Sequence, residues 1–309
     1  MKLGFYNVFI SITTLFAIGA IGYHIRKKGL LSEGAAGNFP KFITDITLPC
    51  LIISSMQLTY TQDRIQEMGA LMVIAVVAFL VQLIFSLLIP FILGLGEDGD
   101  KGVYQFMIMF QNAGFIGYPV LVTIFGTEAV FYGAIYNIPF RILIMTLGVS
   151  MMEKEKRVFS IKDMFTPGIV ATLAGLALFF TQYKLPVLID DPISMIGSLT
   201  TPLAMIYIGA SMTEVKFGRM VANKRIYMIS FIRLLAIPMV ILLAINGFVE
   251  NEMIRGVPVV IHAMPVATLC TIFAKEYNNN VDLASSGVFM TTLLSMVTIP
   301  LIVTALLMV

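Results

Sequence analysis

Two adjacent amides and a proline lie inside one of the most apolar stretches of the chain, "FQNAGFIGYPVLVTIFG" at residues 110–126. The side chains of Gln111 and Asn112 can hydrogen-bond a carboxylate or a neighbouring helix. Pro119 has no N–H and its ring clashes with the preceding turn, so a helix is expected to break or kink there. Gly117 tolerates unusual dihedral angles and lets another backbone approach closely. If this stretch crosses a membrane, the backbone groups freed by the break must face protein or a wet cavity.

The stretch has a counterpart near the other end of the chain. "LVTIFGTE" at 121–128 and "LCTIFAKE" at 269–276 are identical at five of eight positions. Pro119 lies just upstream of the first copy, and Pro265 lies just upstream of the second. Two further pairs of proline-containing segments, "ITLPCLI" with "LTTPLAM" and "YNIPFRI" with "VTIPLIV", occur in the same order. This order predicts an internal repeat.

The composition decides the class of protein. Hydrophobic residues make up 58% of the chain and charged residues only 12%, whereas a soluble domain has about 25% charged residues. So much apolar surface cannot be hidden from water, which indicates an all-α integral membrane protein. The net charge of +2 suggests no nucleic-acid partner. Cys50 and Cys270 are too far apart in sequence to indicate a metal site or a disulfide framework, so we expect no metal.

Ten apolar stretches are long enough to cross the hydrocarbon core, which takes about 20 helical residues. They lie near 4–23, 38–57, 68–95, 102–125, 128–151, 166–183, 192–212, 225–249, 252–274 and 283–308. The longest polar stretch, "EKEKRVFSIKDMF" at 153–165, is interpreted as a cytoplasmic linker. It divides the chain into a first repeat, 1–152, and a second repeat, 166–309, each with five spans.

Basic residues predict the orientation of the spans, because they favour cytoplasmic loops. One alternating set of loops holds fourteen of them: Arg26, Lys27, Lys28, Lys41, Lys101, Lys154, Lys156, Arg157, Lys162, Lys216, Arg219, Lys224, Arg225 and Lys275. The other side holds four: Lys2, Arg64, Lys184 and Arg255. We therefore expect a multi-pass protein of the cytoplasmic membrane with both termini outside the cytoplasm.

Because five is an odd number, the second repeat must enter the bilayer from the opposite side. Inverted repeats of this kind are typical of secondary transporters, whose binding sites lie near the bilayer midplane. We expect spans 4 and 9, broken at Pro119 and Pro265, to cross there. The N-termini of the half-helices carry unpaired N–H groups and partial positive charge, which predicts a site for an anion.

Ionisable side chains within the spans are few. Arg141 lies near the middle of span 5, where a lone charge costs at least about 2.5–3.5 kcal/mol. It either lines the anion pathway or supports the crossing. Arg233 in span 8 is expected to extend toward the cytoplasmic face in a structural role. His262 and Thr268 flank the break at Pro265, and His262 either carries a coupling proton or serves only as a hydrogen bonder. Sodium is an equally open coupling ion, since carbonyl and hydroxyl groups can bind it.

The segments "NAGFIGYP" and "AMPVATLCTIFAKEYN" resemble the auxin efflux carrier family, which includes plant PIN-FORMED carriers and bacterial permeases of malate-like acids. Asn112, Gly117 and Pro119 match the pattern of span 4, while Ala263 and Pro265 match that of span 9. The resemblance covers the whole chain in the number and order of spans. The short central loop is similar to that of prokaryotic members. A valine stands where plant members have a glutamine after the second proline, which argues against auxin-like substrates.

The resemblance implies several features beyond the residues themselves. Spans 1, 2, 6 and 7 would form a scaffold that often dimerises, so a homodimer is expected. Spans 3 to 5 and 8 to 10 would form a mobile transport domain with elevator-type alternating access. Asn112 and the proline regions would contact a carboxylate.

The leading hypothesis for function is a secondary transporter of small organic anions that works without a cofactor. A channel-like facilitator would need a continuous polar path, and a membrane sensor would bind the ligand without flux. An enzyme is not expected, because the chain has no H-E-x-x-H and no G-x-S-G motif, and its spans contain no pair of aspartates. A pump driven by a phosphate-binding loop is not expected either, because no such loop motif is present.

Overall fold

A computed structural model describes residues 5–96, 100–153, 165–214 and 223–308. Within these ranges all regular elements are helices and no strand is present. The α-helices are α1 (Phe5–Lys27), α2 (Glu33–Phe42), α3 (Leu48–Ser55), α4 (Gln62–Ile92), α5 (Lys101–Met109), α6 (Tyr118–Phe125), α7 (Glu128–Leu143), α8 (Val149–Met152), α9 (Pro167–Thr181), α10 (Val187–Ser198), α11 (Thr200–Ser211), α12 (Lys224–Phe231), α13 (Ile237–Ile245), α14 (Glu252–His262), α15 (Leu269–Glu276) and α16 (Val281–Met308).

Among the described residues, six helices, some of them joined through irregular turns, are long and apolar enough to cross a membrane. They are Phe9–Lys27, Gln62–Ile92, Glu128–Met152, Val187–Ser211, Lys224–Ile245 and Val281–Met308. Two shorter apolar helices cover Ala113–Phe125 and Pro167–Thr181. The remaining predicted intervals also contain helices, namely α2 with α3, α5, and α14 with α15. The helical architecture agrees with the prediction of an integral membrane protein.

Three prolines are accommodated by the same local device, a five-residue π-helical turn that ends two residues before the proline. The turns cover Ile43–Thr47, Ala113–Gly117 and Ile232–Ala236, ahead of Pro49, Pro119 and Pro238. A proline ring clashes with the carbonyl four residues earlier. A wider turn moves that carbonyl aside, so the helix continues through the proline.

The chain groups into two compact units, each built from separate segments. The first comprises Met1–Met72, Gly114–Ile135 and Phe165–Val215. The second comprises Val73–Ala113, Tyr136–Met164 and Lys216–Val309. Helices α4 and α7 contribute to both units.

In the first unit, α1 packs along α11 at very short range. A Cβ added at Gly209 would lie 1.7 Å from the carbonyl oxygen of Gly19, and one at Gly22 would lie 2.2 Å from that of Ile206. Glycine at these positions is therefore required by the approach of the two backbones. The α3 helix packs against α9 and α10 in the same unit.

In the second unit, α16 is the central helix and contacts α12, α14 and α15. Its buried face includes Ser286, Gly287, Met290, Thr291 and Ser295. The start of α5 packs closely on α8, where a Cβ at Gly102 would lie 1.7 Å from the carbonyl oxygen of Met151. This unit contains both helix interruptions that follow.

The predicted linker 153–165 lies outside the described residues except for Glu153 and Phe165. Several of the basic residues that predict the orientation also lie outside them: Lys2, Lys154, Lys156, Arg157, Lys162, Lys216 and Arg219. The orientation of the termini stays a prediction.

Candidate functional site

The first interruption follows α5, within predicted span 4. Phe110 adopts an extended conformation, with φ −117° and ψ 118°, and ends the helix. The chain is non-helical to Asn112 and becomes helical again at Ala113. The predicted break at Pro119 is therefore wrong in position, because the interruption comes before Ala113. Pro119 lies in the first turn of α6, after the π-helical turn that relieves its clash.

Gly117 adopts backbone angles that any residue can adopt. Its φ of −61° and ψ of −51° are ordinary right-handed helical values, so the expected unusual dihedral angles are absent there. Gly117 and Pro119 belong to the first compact unit, whereas Asn112 belongs to the second.

The second interruption separates α14 from α15, within predicted span 9. Asn251 starts α14 by accepting hydrogen bonds from the N–H groups of Met253 and Ile254, at 2.9 and 3.3 Å. The α-helix ends at His262, so Ala263 and Pro265 lie in the non-helical segment as the sequence predicts. Thr268 is the N-cap residue of α15, although its side chain makes no capping hydrogen bond.

The two interruptions are paired by main-chain hydrogen bonds. The N–H of Asn112 donates to the carbonyl of Pro265 at 2.7 Å, and the N–H of Ala267 donates to the carbonyl of Phe110 at 3.0 Å. Gln111 and Val266 form an isolated antiparallel β-bridge between these two bonds. Each interruption thereby satisfies polar backbone groups that the other leaves open, as required away from water.

Several backbone N–H groups at the two interruptions have acceptors within the protein, while the anion site at the helix N-termini stays a prediction. The N–H groups of Asn112 and Ala267 are used by the opposite interruption, and that of Ala113 donates to the Gln111 carbonyl at 2.9 Å. The N–H of Val266 donates to the Thr291 hydroxyl at 3.1 Å.

Contrary to the sequence prediction, Arg233 does not extend toward the cytoplasmic face. It is completely buried, and its Nη2 donates to Oε1 of Gln111 at 3.2 Å. Gln82, also completely buried, donates from Nε2 to the Ile108 carbonyl at 2.9 Å and to Gln111 Oε1 at 3.4 Å. Two sequence signals could have indicated this cluster. Gln82 is polar within the apolar run "AFLVQLIF", and Arg233 lies five residues before Pro238.

His262 lies in a second buried cluster within the same unit. Its Nε2 is 2.7 Å from the Tyr136 hydroxyl, and its ring centroid is 5.1 Å from that of Phe79. The predicted site residue Arg141 is only partly buried, in contrast with Arg233.

Residues 7–303 match the membrane transport protein family. The chain belongs to this family. The resemblance to auxin efflux carriers that the motifs indicated is thereby confirmed. The chain is a membrane transporter of this family, with several apolar helices that pass through the bilayer.

Two archaeal relatives align with nearly the full length of this family member. An uncharacterized transporter of Methanothermobacter thermautotrophicus is 27% identical over 302 residues, covering 94% of this chain and 96% of the relative. An uncharacterized transporter of Methanocaldococcus jannaschii is 26% identical over 297 residues, covering 91% and 93%. Both relatives are named as transporters, which agrees with the expectation that the chain is not an enzyme.

Proposed function

We propose that this protein is a secondary transporter that moves a small organic anion, a carboxylate, across the cytoplasmic membrane. The observation that carries the proposal is the reciprocal backbone pairing of the two interruptions, Asn112 with Pro265 and Phe110 with Ala267. Non-helical backbone at membrane depth is tolerated where it is buried in protein or lines a cavity, and paired interruptions of this kind are typical of transporter binding sites.

The proposed architecture is ten transmembrane helices in two inverted repeats, 1–152 and 166–309, joined by the linker 153–165. A helix or an interrupted helix covers each of the ten intervals, which supports this count. Spans 1, 2, 6 and 7 would form the scaffold and its dimer contact. Their helices group in the first compact unit, which also takes in parts of spans 3 to 5. The distribution of basic residues supports termini outside the cytoplasm.

The proposed mechanism is elevator-type alternating access, in which spans 3 to 5 and 8 to 10 carry the bound anion past the scaffold. The residues proposed to bind or surround the substrate are Asn112, Gly117, Pro119, Arg141, His262, Ala263, Pro265 and Thr268. Either a proton or sodium would be the coupling ion. His262 is the group able to carry a proton, while hydroxyl and carbonyl oxygens at the second interruption are the groups able to bind sodium.

Transport assays with purified protein in proteoliposomes test the proposal. Labelled lactate and labelled malate are supplied as a monocarboxylate and a dicarboxylate, and sodium and proton gradients are imposed separately. We expect saturable uptake of at least one acid, accelerated by one gradient. Asn112→Ala is expected to lower the uptake at least tenfold, whereas Asn38→Ala, at an exposed position in α2, leaves it unchanged.

Other outcomes would replace the proposal with a different function. Large flux that does not saturate with concentration indicates a channel-like facilitator. Binding of an acid without any flux indicates a membrane sensor that has kept the carrier fold. If the protein neither binds nor transports either acid, a carboxylate is not its substrate.

A further inference from the structure

Arg233 carries a charge in a place where a charge is costly. Its side chain is completely buried, and only Nη2 has a hydrogen bond, to Gln111. Its Nε and Nη1 have no hydrogen-bond partner, and it forms no salt bridge, among the residues that the structure describes. An ionised side chain at membrane depth is costly unless a partner compensates its charge.

The surroundings of Arg233 have more donors than acceptors. Gln111 Oε1 already accepts from Arg233 and from Gln82. The amide nitrogen Nε2 of Gln111 has no acceptor within the described part of the chain. Among Arg233, Gln111 and Gln82, the one side-chain oxygen without a donor is Oε1 of Gln82. The backbone N–H groups of Asn112, Ala113 and Ala267 have acceptors within the two interruptions. A ligand that fits this cluster must therefore supply acceptor oxygens and negative charge.

We propose that Arg233 is a substrate-binding residue, which holds one carboxylate group of the transported anion through Nη1. This inference rests on the proposed function and names the charged contact of that site. Gln111 Nε2 supplies a second, neutral donor to the same carboxylate. Nε lies on a different edge of the guanidinium from Nη1, so it donates to another acceptor oxygen of the anion and not to the same carboxylate.

The empty site carries the positive charge of Arg233, and a bound monocarboxylate cancels that charge. The loaded site therefore carries only the charge of the coupling ion. Net transport needs the positively charged empty site to return, so its rate is expected to depend on the potential.

Binding by purified protein in detergent tests the role of Arg233 directly. Cys50 and Cys270 are free thiols and the chain has no Trp, so a thiol-reactive dye reports thermal unfolding. Lactate and malate are each titrated up to 20 mM, and the rise of the unfolding midpoint gives an apparent Kd. Arg233→Gln is expected to raise the Kd at least tenfold, since a hydrogen-bonded charge contributes about 1.5–3 kcal/mol. Arg225→Gln, at an exposed position in α12, is the matched control and is expected to bind as the wild type does.

A second variant keeps the test decisive if Arg233→Gln fails to fold. Gln111→Glu places a carboxylate beside the guanidinium, because the Gln111 Oε1 atom lies 3.2 Å from Arg233 Nη2. This internal anion is expected to raise the unfolding midpoint without acid and to abolish the response to lactate and malate. A Gln111→Glu protein that responds like the wild type overturns the proposal.

The two proposals fail in distinguishable ways. If the wild-type protein neither binds nor transports lactate or malate, the proposed function fails. If the wild type binds an acid and folded Arg233→Gln binds it equally well, only the role assigned to Arg233 fails.

Discussion

The Thr291 hydroxyl of α16 accepts a hydrogen bond from the backbone N–H of Val266, with 3.1 Å between nitrogen and oxygen. The same hydroxyl donates to the carbonyl of Gly287 within its own helix, at 2.7 Å. Because Val266 also forms the β-bridge with Gln111, one side chain of α16 holds the second interruption at the point where it meets the first. A hydroxyl can serve both partners, since it is a donor and an acceptor at once.

Thr291→Val is expected to lower the free energy of unfolding by about 1–3 kcal/mol, because it leaves the buried N–H of Val266 without its acceptor. Unfolding in mixed micelles with increasing SDS measures the change. Thr292→Val is the matched control on the same helix, since its hydroxyl donates only to the Val288 carbonyl of the preceding turn. Equal losses in the two variants would show that the contact with Val266 contributes nothing specific.

Tyr136→Phe removes the hydroxyl that lies 2.7 Å from His262 Nε2 while keeping the buried ring. The loss leaves a polar nitrogen of a completely buried imidazole without its partner, so we expect a decrease of about 1–3 kcal/mol in the free energy of unfolding. Tyr227→Phe, at an exposed ring of α12, is the matched control and is expected to change stability by less than about 0.5 kcal/mol. If the two variants unfold at the same SDS concentration, the bond to His262 is not stabilising.

Gly209→Ala is expected to destabilise the first unit severely. The added methyl group would lie 1.7 Å from the carbonyl oxygen of Gly19, so α1 and α11 must move apart. Gly37→Ala in α2 is the control, since its methyl group would meet no atom within 4 Å, and alanine is favoured over glycine in a helix by about 1 kcal/mol. The thiol-dye unfolding midpoint should fall for the first variant and should stay the same or rise for the second. A Gly209→Ala protein as stable as the wild type would mean that the close approach does not exist.

The two matched segments, 121–128 and 269–276, differ in structure at one position where their residues also differ. Both segments begin within the half-helices that follow the interruptions. In the first copy, α6 ends at Phe125 and Gly126 follows with φ +83°. In the second copy, Ala274 stands at the equivalent position and α15 continues to Glu276. A side chain disfavours this positive φ, so the mismatch in the alignment is where the two copies differ in structure.

The sequence by itself determined the class of protein, the apolar intervals that become helices, and the presence of one interruption in each half. These features depend on local properties, namely the length of apolar runs and the chemistry of proline and polar residues. They could be predicted because each acts within one or two turns of the chain.

Only the tertiary structure decided where the first interruption lies and which groups meet there. The chain leaves the helix at Phe110, where the opposite interruption supplies partners for its backbone, and not at Pro119, where a local π-helical turn is enough. The burial of Arg233 likewise depends on Gln111, which is distant in sequence and adjacent in space. Hydrogen-bond partners for a freed backbone group or a buried charge come from elsewhere in the chain, so local sequence patterns cannot specify them.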